Sequence, residues 1–230
     1  MKLQTFGQAQ LFNRDHLKAW ARSLGIRRAS GGHLSHVGAL WTATCGEVDT
    51  LQDVLPPEVF ARLEAIPPFP DGFVRFWYES TMAVDGYTGK DGVRGPYDWR
   101  EKVRWHHAGN LEAGRRRKNT RRLELVDLPL NSQEVRDTVP RAAWAAERIR
   151  YCRRQIWLNW KGYRLRRGIH PDEASPDRWT CPELVVQLLD YVKPRYTRDA
   201  LRLGYVGFDM YCPSGTRGPG LWEMIQAHKV

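Results

Sequence analysis

Short apolar stretches alternate with stretches in which apolar residues recur every three or four positions, so the chain mixes strands with helices. Strands are predicted at residues 1–10, 33–41, 73–81, 121–129 and 200–213. Helices are predicted at 13–24, at 51–66 with an interruption at Pro56-Pro57, at 97–105, and at 221–229. CGEVD, residues 45–49, predicts a turn. Separated strands and helices of this kind predict an α+β fold.

The clearest strand is FVRFWYEST, residues 73–81. Its alternation puts Phe73, Arg75, Trp77 and Glu79 on one face, and Val74, Phe76 and Tyr78 on the other. Further along, Asn131 followed by Glu134 is a capping-box pattern that predicts a helix start. Pro140 is expected to open a second helix.

The stretch DRWTCPELVVQLLDYV, residues 177–192, predicts a helix that begins at a cysteine. Thr180 is expected to cap it, Glu183 completes a capping box, and Pro182 fits the first turn. The helix is expected to end before Pro194. Cys181 then lies at the positive end of the helix dipole, where a thiolate is favoured, and a nucleophile benefits from that place.

Length and composition predict one domain over residues 1–230, with a basic insertion around 108–122. No apolar run reaches the length of a membrane span, and the first residues do not resemble a signal peptide. The four cysteines contain no CxxC pair, so neither a disulfide framework nor a zinc site is expected, and reduced thiols favour a cytoplasmic location. His106-His107 has no further ligand at metal-site spacing, and no cofactor is expected.

The formal net charge is +10, and the positive charges are clustered. RRRKNTRR occupies residues 115–122, and a second group of arginines and one lysine lies between 148 and 167. Such clusters predict either an anionic partner, such as a cell-wall polymer, nucleic acid or acidic lipid, or simply a solvated surface. Trp157, Trp160 and Tyr163 among them are typical of nucleic-acid binding by phosphate contact and stacking.

A nucleophilic cysteine needs a base, and the base needs a group that orients it. His36, at the start of a predicted strand and preceded by Ser35, is the best base, and Glu79 at the end of the next clear strand is the best orienting residue. A helix start that faces two neighbouring strands allows Cys181, His36 and Glu79 to converge.

SHVGALW, WYEST and WTCPELV follow one another in an order that resembles the circularly permuted papain-like cysteine hydrolases. These are the permuted branch of the NlpC-type cell-wall peptidases, which includes YiiX-like proteins. The resemblance covers roughly residues 33–192. It implies a papain-like domain whose antiparallel sheet packs against the cysteine helix, and it implies that Cys181, His36 and Glu79 are catalytic.

The resemblance also implies a pocket tyrosine about ten residues after the cysteine, where Tyr191 stands. A straight helix puts Tyr191 about 15 Å from Cys181, so the alternative is that it packs over the helix end. Ser35 and Trp179 are expected to bind substrate beside it. Two departures stand out: Glu47 competes with Glu79 as third residue, and the insertion at 108–122 is not part of the family pattern.

The sequence therefore predicts a thiol hydrolase that cleaves an amide, isopeptide or thioester bond in a peptide or acyl substrate, without a metal or cofactor. The alternative is a basic, non-enzymatic nucleic-acid-binding protein. A reactive-cysteine probe separates the two, because only an enzyme is expected to label selectively at Cys181.

Overall fold

The computed structural model describes residues 1–10, 21, 24, 36–80, 103–107, 121–151, 178–179 and 181–193. The predicted elements at 200–213 and 221–229 lie outside these ranges. Of the helix predicted at 13–24, only Ala21 and Leu24 are described, and both are helical.

Five strands form one antiparallel sheet in the order β4-β3-β2-β1-β5. They are β1 (Lys2–Gln10), β2 (His36–Thr44), β3 (Phe73–Ser80), β4 (Val103–His107) and β5 (Arg121–Asp127). β1 pairs with both β2 and β5, although β5 lies more than a hundred residues further along the chain. The helix predicted at 97–105 is wrong where it is described, because residues 103–105 belong to β4 and pair with β3.

Two short helices follow β2. Helix α1 (Cys45–Asp49) is capped by Thr44, whose hydroxyl accepts from the Glu47 N–H while the Glu47 carboxylate accepts from the Thr44 N–H. The predicted turn at 45–49 is therefore wrong, because a complete capping box supports a helical turn there. Helix α2 (Pro57–Glu64) begins at the second proline of the pair, where a missing N–H costs nothing.

The capping box at Asn131 and Glu134 is confirmed, and it starts helix α3 (Ser132–Arg148). The expected second helix at Pro140 is wrong, because α3 runs through Pro140 without a break. A proline inside a helix removes one hydrogen bond, and here the packing of the helix against the sheet outweighs that loss. The predicted cysteine helix is confirmed as α4 (Cys181–Val192). Two short parallel strands, β6 (Arg150–Tyr151) and β7 (Arg178–Trp179), lie between α3 and α4 in the chain.

The core lies between one face of the sheet and the helices α3 and α4, and Val48 of α1 and Val59 and Leu63 of α2 also belong to it. The sheet contributes alternate residues of β2 and β3, which are fully or almost fully buried: Val37, Ala39, Trp41, Ala43, Val74, Phe76 and Tyr78. This burial agrees with the predicted two faces of β3. Trp41 stacks on Phe76, with ring centroids 5.6 Å apart, and its indole N–H donates to the Thr138 hydroxyl of α3 at 3.0 Å. The bond satisfies the one polar atom of the largest core side chain.

Helices α3 and α4 run in opposite directions. Lys193, after the end of α4, lies 3.6 Å from the Glu134 carboxylate in the first turn of α3. At the other end of the pair, the rings of Trp144 and Trp179 are 6.2 Å apart. Arg136 donates to the Thr50 carbonyl at 2.8 Å, so the first half of α3 lies over the C-terminal end of β2. The last turn of α3 and the first turn of α4 therefore lie over the end at which β2 begins.

The architecture is thus a mixed α+β arrangement in which an antiparallel sheet is covered on one face by two antiparallel helices. Within the described ranges, no helix has the length and apolar character that crossing a membrane requires.

Candidate active site

Cys181 is the first residue of α4, as the sequence predicts. Its side chain is 4% exposed and belongs to the hydrophobic core, together with Leu184 and Val185 of the next turn. The backbone N–H groups of a first helical turn have no acceptor within the helix, so they point outward from the helix start. Cys181 therefore lies at the end of α4 where such N–H groups lie.

Positions 36 and 79 lie at the same end of the sheet as the start of α4. His36 is the first residue of β2, and Glu79 is the second-last residue of β3. The register pairs Ala39 with Tyr78, so the start of β2 and the end of β3 are adjacent. The backbone therefore brings the three predicted catalytic positions to one end of the fold.

The same register separates the three positions by face. Val37, Ala39 and Tyr78 alternate onto the face that α3 and α4 cover. By the period of two along a strand, positions 36 and 79 belong to the opposite face of the sheet. Positions 36 and 79 thus share a face at this end of the sheet, whereas Cys181 is on α4, which covers the opposite face, so contact with Cys181 has to pass around the strand ends.

Glu47, the competing third residue, lies at the other end of the sheet. It follows the last residue of β2, and a strand of nine residues spans roughly 27 Å. Its carboxylate accepts from the Thr44 N–H at 2.9 Å and forms an ion pair with the amino group of Met1. Burial opposes its ionisation, but the hydrogen bonds from the amino terminus and Thr44 outweigh burial and hold the Glu47 pKa below its ordinary value. Glu47 is therefore too far from position 36 to orient an imidazole there.

Gly38, two residues after His36, has a packing reason to be glycine. A Cβ at this position meets the Phe6 ring at 2.4 Å and the Tyr78 carbonyl oxygen at 2.7 Å, both closer than real Cβ contacts. The fully buried Phe6 ring therefore lies directly over the Gly38 backbone. The glycine of the His-x-Gly pattern lets β1 and β2 pack closely next to the predicted base.

The predicted substrate-binding residues differ in their surroundings. Trp179 is buried against Trp144, whereas Tyr191 is 55% exposed. Tyr191 and Val192 line an open groove of about 340 Å³ beside the N-terminal half of α3. Tyr191 is thus at the far end of α4 from Cys181. Ser35 lies outside the described residues.

Sequence reasoning missed Arg141, which lies among aromatic rings between α3 and α4. Its guanidinium carbon is 4.1 Å from the centroid of the Trp144 ring. Burial raises the pKa of Tyr78 well above its ordinary value, and the positive charge of Arg141 opposes that rise. The missed signal is an arginine three residues before a tryptophan on the same helix.

Most of the basic clusters predicted to bind a polyanion, including RRRKNTRR at 115–122, lie outside the described residues or are described only as backbone. Arg148, at the end of α3, is exposed. Within the described ranges, no group of three or more His, Cys, Asp or Glu side chains is arranged to hold a metal ion.

Comparison of the chain with protein-family models, with curated proteins and with solved structures finds no match.

Proposed function

We propose that the protein is a cysteine hydrolase with a circularly permuted papain-like fold, in which Cys181 is the nucleophile. The observation that supports this proposal is the shared end of the fold: α4 begins at Cys181, β2 begins at His36, and β3 ends one residue after Glu79. A cysteine that is the first residue of a packed helix is held rigidly, as a nucleophile requires.

The proposed reaction is acyl transfer through the Cys181 sulfur. His36 accepts the thiol proton, and the thiolate attacks the carbonyl carbon of an amide or thioester. The backbone N–H of Cys181 donates to the oxygen that becomes negative. His36 then gives the proton to the leaving amine or thiol, and water releases the acid from the acyl-enzyme. Glu79 holds the imidazole in the tautomer that the reaction needs.

The proposal makes a geometric demand, because positions 36 and 79 alternate onto the sheet face away from α4. The imidazole has to reach Cys181 past the start of β2. A separation of more than about 8 Å between the Cys181 sulfur and the His36 ring in an experimental structure contradicts the proposal, since proton transfer needs hydrogen-bond reach.

Alkylation kinetics test the proposal without a known substrate, and Cys45 is an internal control. Cys45 is exposed and is also the first residue of a helix, whereas Cys181 is buried. We expect iodoacetamide to modify Cys181 faster than Cys45 at pH 7, measured peptide by peptide by mass spectrometry. His36→Ala is expected to slow modification of Cys181 about 100-fold and to leave Cys45 unchanged, because a general base contributes roughly that factor. Glu79→Gln is expected to have a smaller effect.

Circular dichroism and the melting temperature check that His36→Ala still folds. If Cys181 reacts more slowly than Cys45 and does not respond to His36→Ala, Cys181 is an ordinary core residue. The basic, non-enzymatic alternative is then the better hypothesis.

A further inference from the structure

The guanidinium of Arg141 is enclosed by aromatic rings from three elements. Its central carbon lies 4.1 Å from the Trp144 centroid, and 5.5 Å from the centroids of both Trp179 and Tyr191. Trp179 precedes α4 and Tyr191 is near its end. Because both ring centroids lie 5.5 Å from the same guanidinium carbon, both rings lean toward the middle of α4. Rings that cover a planar cation attract its charge but leave its N–H edge for other partners.

That N–H edge lacks a protein partner within the described residues. The Nε atom of Arg141 is buried and has no hydrogen-bond acceptor. No hydrogen bond or ion pair joins Arg141 to a carboxylate in the described part of the chain, although the side chain is half-buried. Arginine stays charged at any relevant pH, and a buried N–H donor without an acceptor is costly. A fixed cation of this kind is suited to a planar or tetrahedral oxyanion that accepts two of its N–H groups.

The acidic residues on the same side of α3 are already engaged. The Asp137 carboxylate accepts from the Gln133 side chain at 2.8 Å. The Glu134 carboxylate accepts from the Asn131 N–H at 2.8 Å and also pairs with Lys193. Within the described residues neither carboxylate forms an ion pair with Arg141, whose Nε–H has no acceptor.

The surroundings of Arg141 also favour a ligand with an aromatic or apolar part. The groove of about 340 Å³ beside Tyr191 is lined by Pro140 and Val192 as well as by the acidic residues. Arg148 adds a second positive charge, and its guanidinium carbon lies 5.8 Å from the centroid of the Trp144 ring. An aromatic ring that stacks on Tyr191 while its oxyanion meets Arg141 uses both features.

We infer that Arg141 is the anchor of an oxyanion-binding site between α3 and α4, which takes a carboxylate or phosphate group attached to an apolar or aromatic body. The inference does not depend on Cys181 being a nucleophile, because it rests on Arg141 and the rings around it.

The NMR signal of the Arg141 Nε–H group reports directly on ligand binding at this site. With arginine labelled in ¹⁵N, its Nε–H signal is identified as the one missing from the spectrum of Arg141→Lys. Titration of the wild-type protein with phenylacetate and, separately, with phenyl phosphate is expected to shift this signal. Benzyl alcohol, which has the ring without the charge, is expected to leave the signal in place. A shift with only one of the two anions identifies the preferred source of the oxyanion, and either result supports the site.

Two conservative variants test the anchor by affinity. Arg141→Lys keeps the charge but loses the fork of N–H groups, so we expect the Kd of the bound anion to rise about tenfold. Arg148→Lys is the matched control on the same helix, and we expect it to change the Kd less than threefold. Absence of a signal shift with both anions, or an unchanged Kd in Arg141→Lys, overturns the inference. If Arg141→Lys does not fold, the wild-type titration alone decides, with the Nε–H signal assigned by its contacts to the aromatic protons.

Discussion

The sequence Thr-Cys-x-Glu occurs twice in this chain, as TCGE at 44–47 and as TCPE at 180–183. In both places the cysteine is the first residue of a helix. The helix that follows Thr44 has five residues and leaves Cys45 exposed. The helix at Cys181 has 12 residues and buries its cysteine.

The difference teaches that the four-residue pattern determines where a helix begins but not what the helix does. α1 buries a single side chain, Val48. α4 buries an almost continuous apolar surface against the sheet: Leu184, Val185, Val186, Leu188 and Leu189. Both cysteines are the first residue of a helix, so a helix start alone does not select a nucleophile. What distinguishes Cys181 is its position at the end of the sheet where β2 begins.

The largest expected effect concerns how tightly α4 and α1 pack onto the core. Leu188 is 1% exposed, and Leu188→Ala is expected to lower the free energy of unfolding by about 3 kcal/mol, since the cavity adds to the lost burial. Val48→Ala in α1 is the matched change and is expected to cost about 1–2 kcal/mol, because fewer methyl groups are removed. Urea unfolding monitored by tryptophan fluorescence measures both. Equal costs break the comparison, because they mean that α1 is as tightly held as α4.

An intermediate effect concerns Thr44, the capping residue of α1, whose Thr-Cys-x-Glu sequence recurs at the start of α4. Thr44→Ala removes the hydroxyl that accepts from the Glu47 N–H at 3.2 Å, and we expect a loss of about 1 kcal/mol. Thr44→Ser keeps the hydroxyl, and we expect it to lower the free energy of unfolding by at most about 0.3 kcal/mol. Chemical denaturation of the two variants in parallel gives the difference. If Ser and Ala are equally destabilising, the lost β-branch in the strand end is responsible and the cap is not.

The smallest effect concerns the charge of Glu47. Its pKa in the folded protein lies below the ordinary value of 4.5, because hydrogen bonds from the amino terminus and Thr44 outweigh the opposing effect of burial. The ionised group therefore stabilises the fold fully above about pH 4.5, and this contribution is lost as the pH falls through the lower folded value. We expect the stability difference between wild type and Glu47→Gln to be less than about 1 kcal/mol, since the group is partly exposed.

Measurements of unfolding at pH 7, 5 and 3 check this behaviour. The difference should be the same at pH 7 and 5 and smaller at pH 3. A difference that grows on acidification contradicts the assignment.

Most of the described strands could be predicted because their apolar residues alternate or cluster within short, bounded stretches. β3 is the clearest case, since its buried residues Val74, Phe76 and Tyr78 follow the predicted face. The sequence at 45–49 predicts a turn rather than the observed helix because the capping box spans a strand end, and a helix of five residues has little periodicity. The continuity of α3 through Pro140 could not be predicted, because contacts with the sheet override a local helix breaker.

The candidate site was predictable only in part. The helix start at Cys181 is predicted by a local capping pattern, which the sequence shows directly. That positions 36 and 79 share its end of the sheet depends on the register of β2 with β3 and on the direction of α3, which are long-range features. Arg141 is missed for the same reason, because two of its three rings, Trp179 and Tyr191, come about forty to fifty residues later.

The strand order also has a consequence for how the chain folds. β1, β2, β3 and β4 are neighbours in the order in which they leave the ribosome, so each can pair with the strand before it as it emerges. β5 must instead find β1, and the side chains of Gln4 and Asp127, which are hydrogen-bonded, are 123 positions apart. Closing so large a loop has a high entropic cost, so the pairing is slow. Until β5 pairs, the edge of β1 exposes unpaired backbone groups to other chains. We therefore expect docking of β5 to be the late step of folding, and aggregation to be most severe before it.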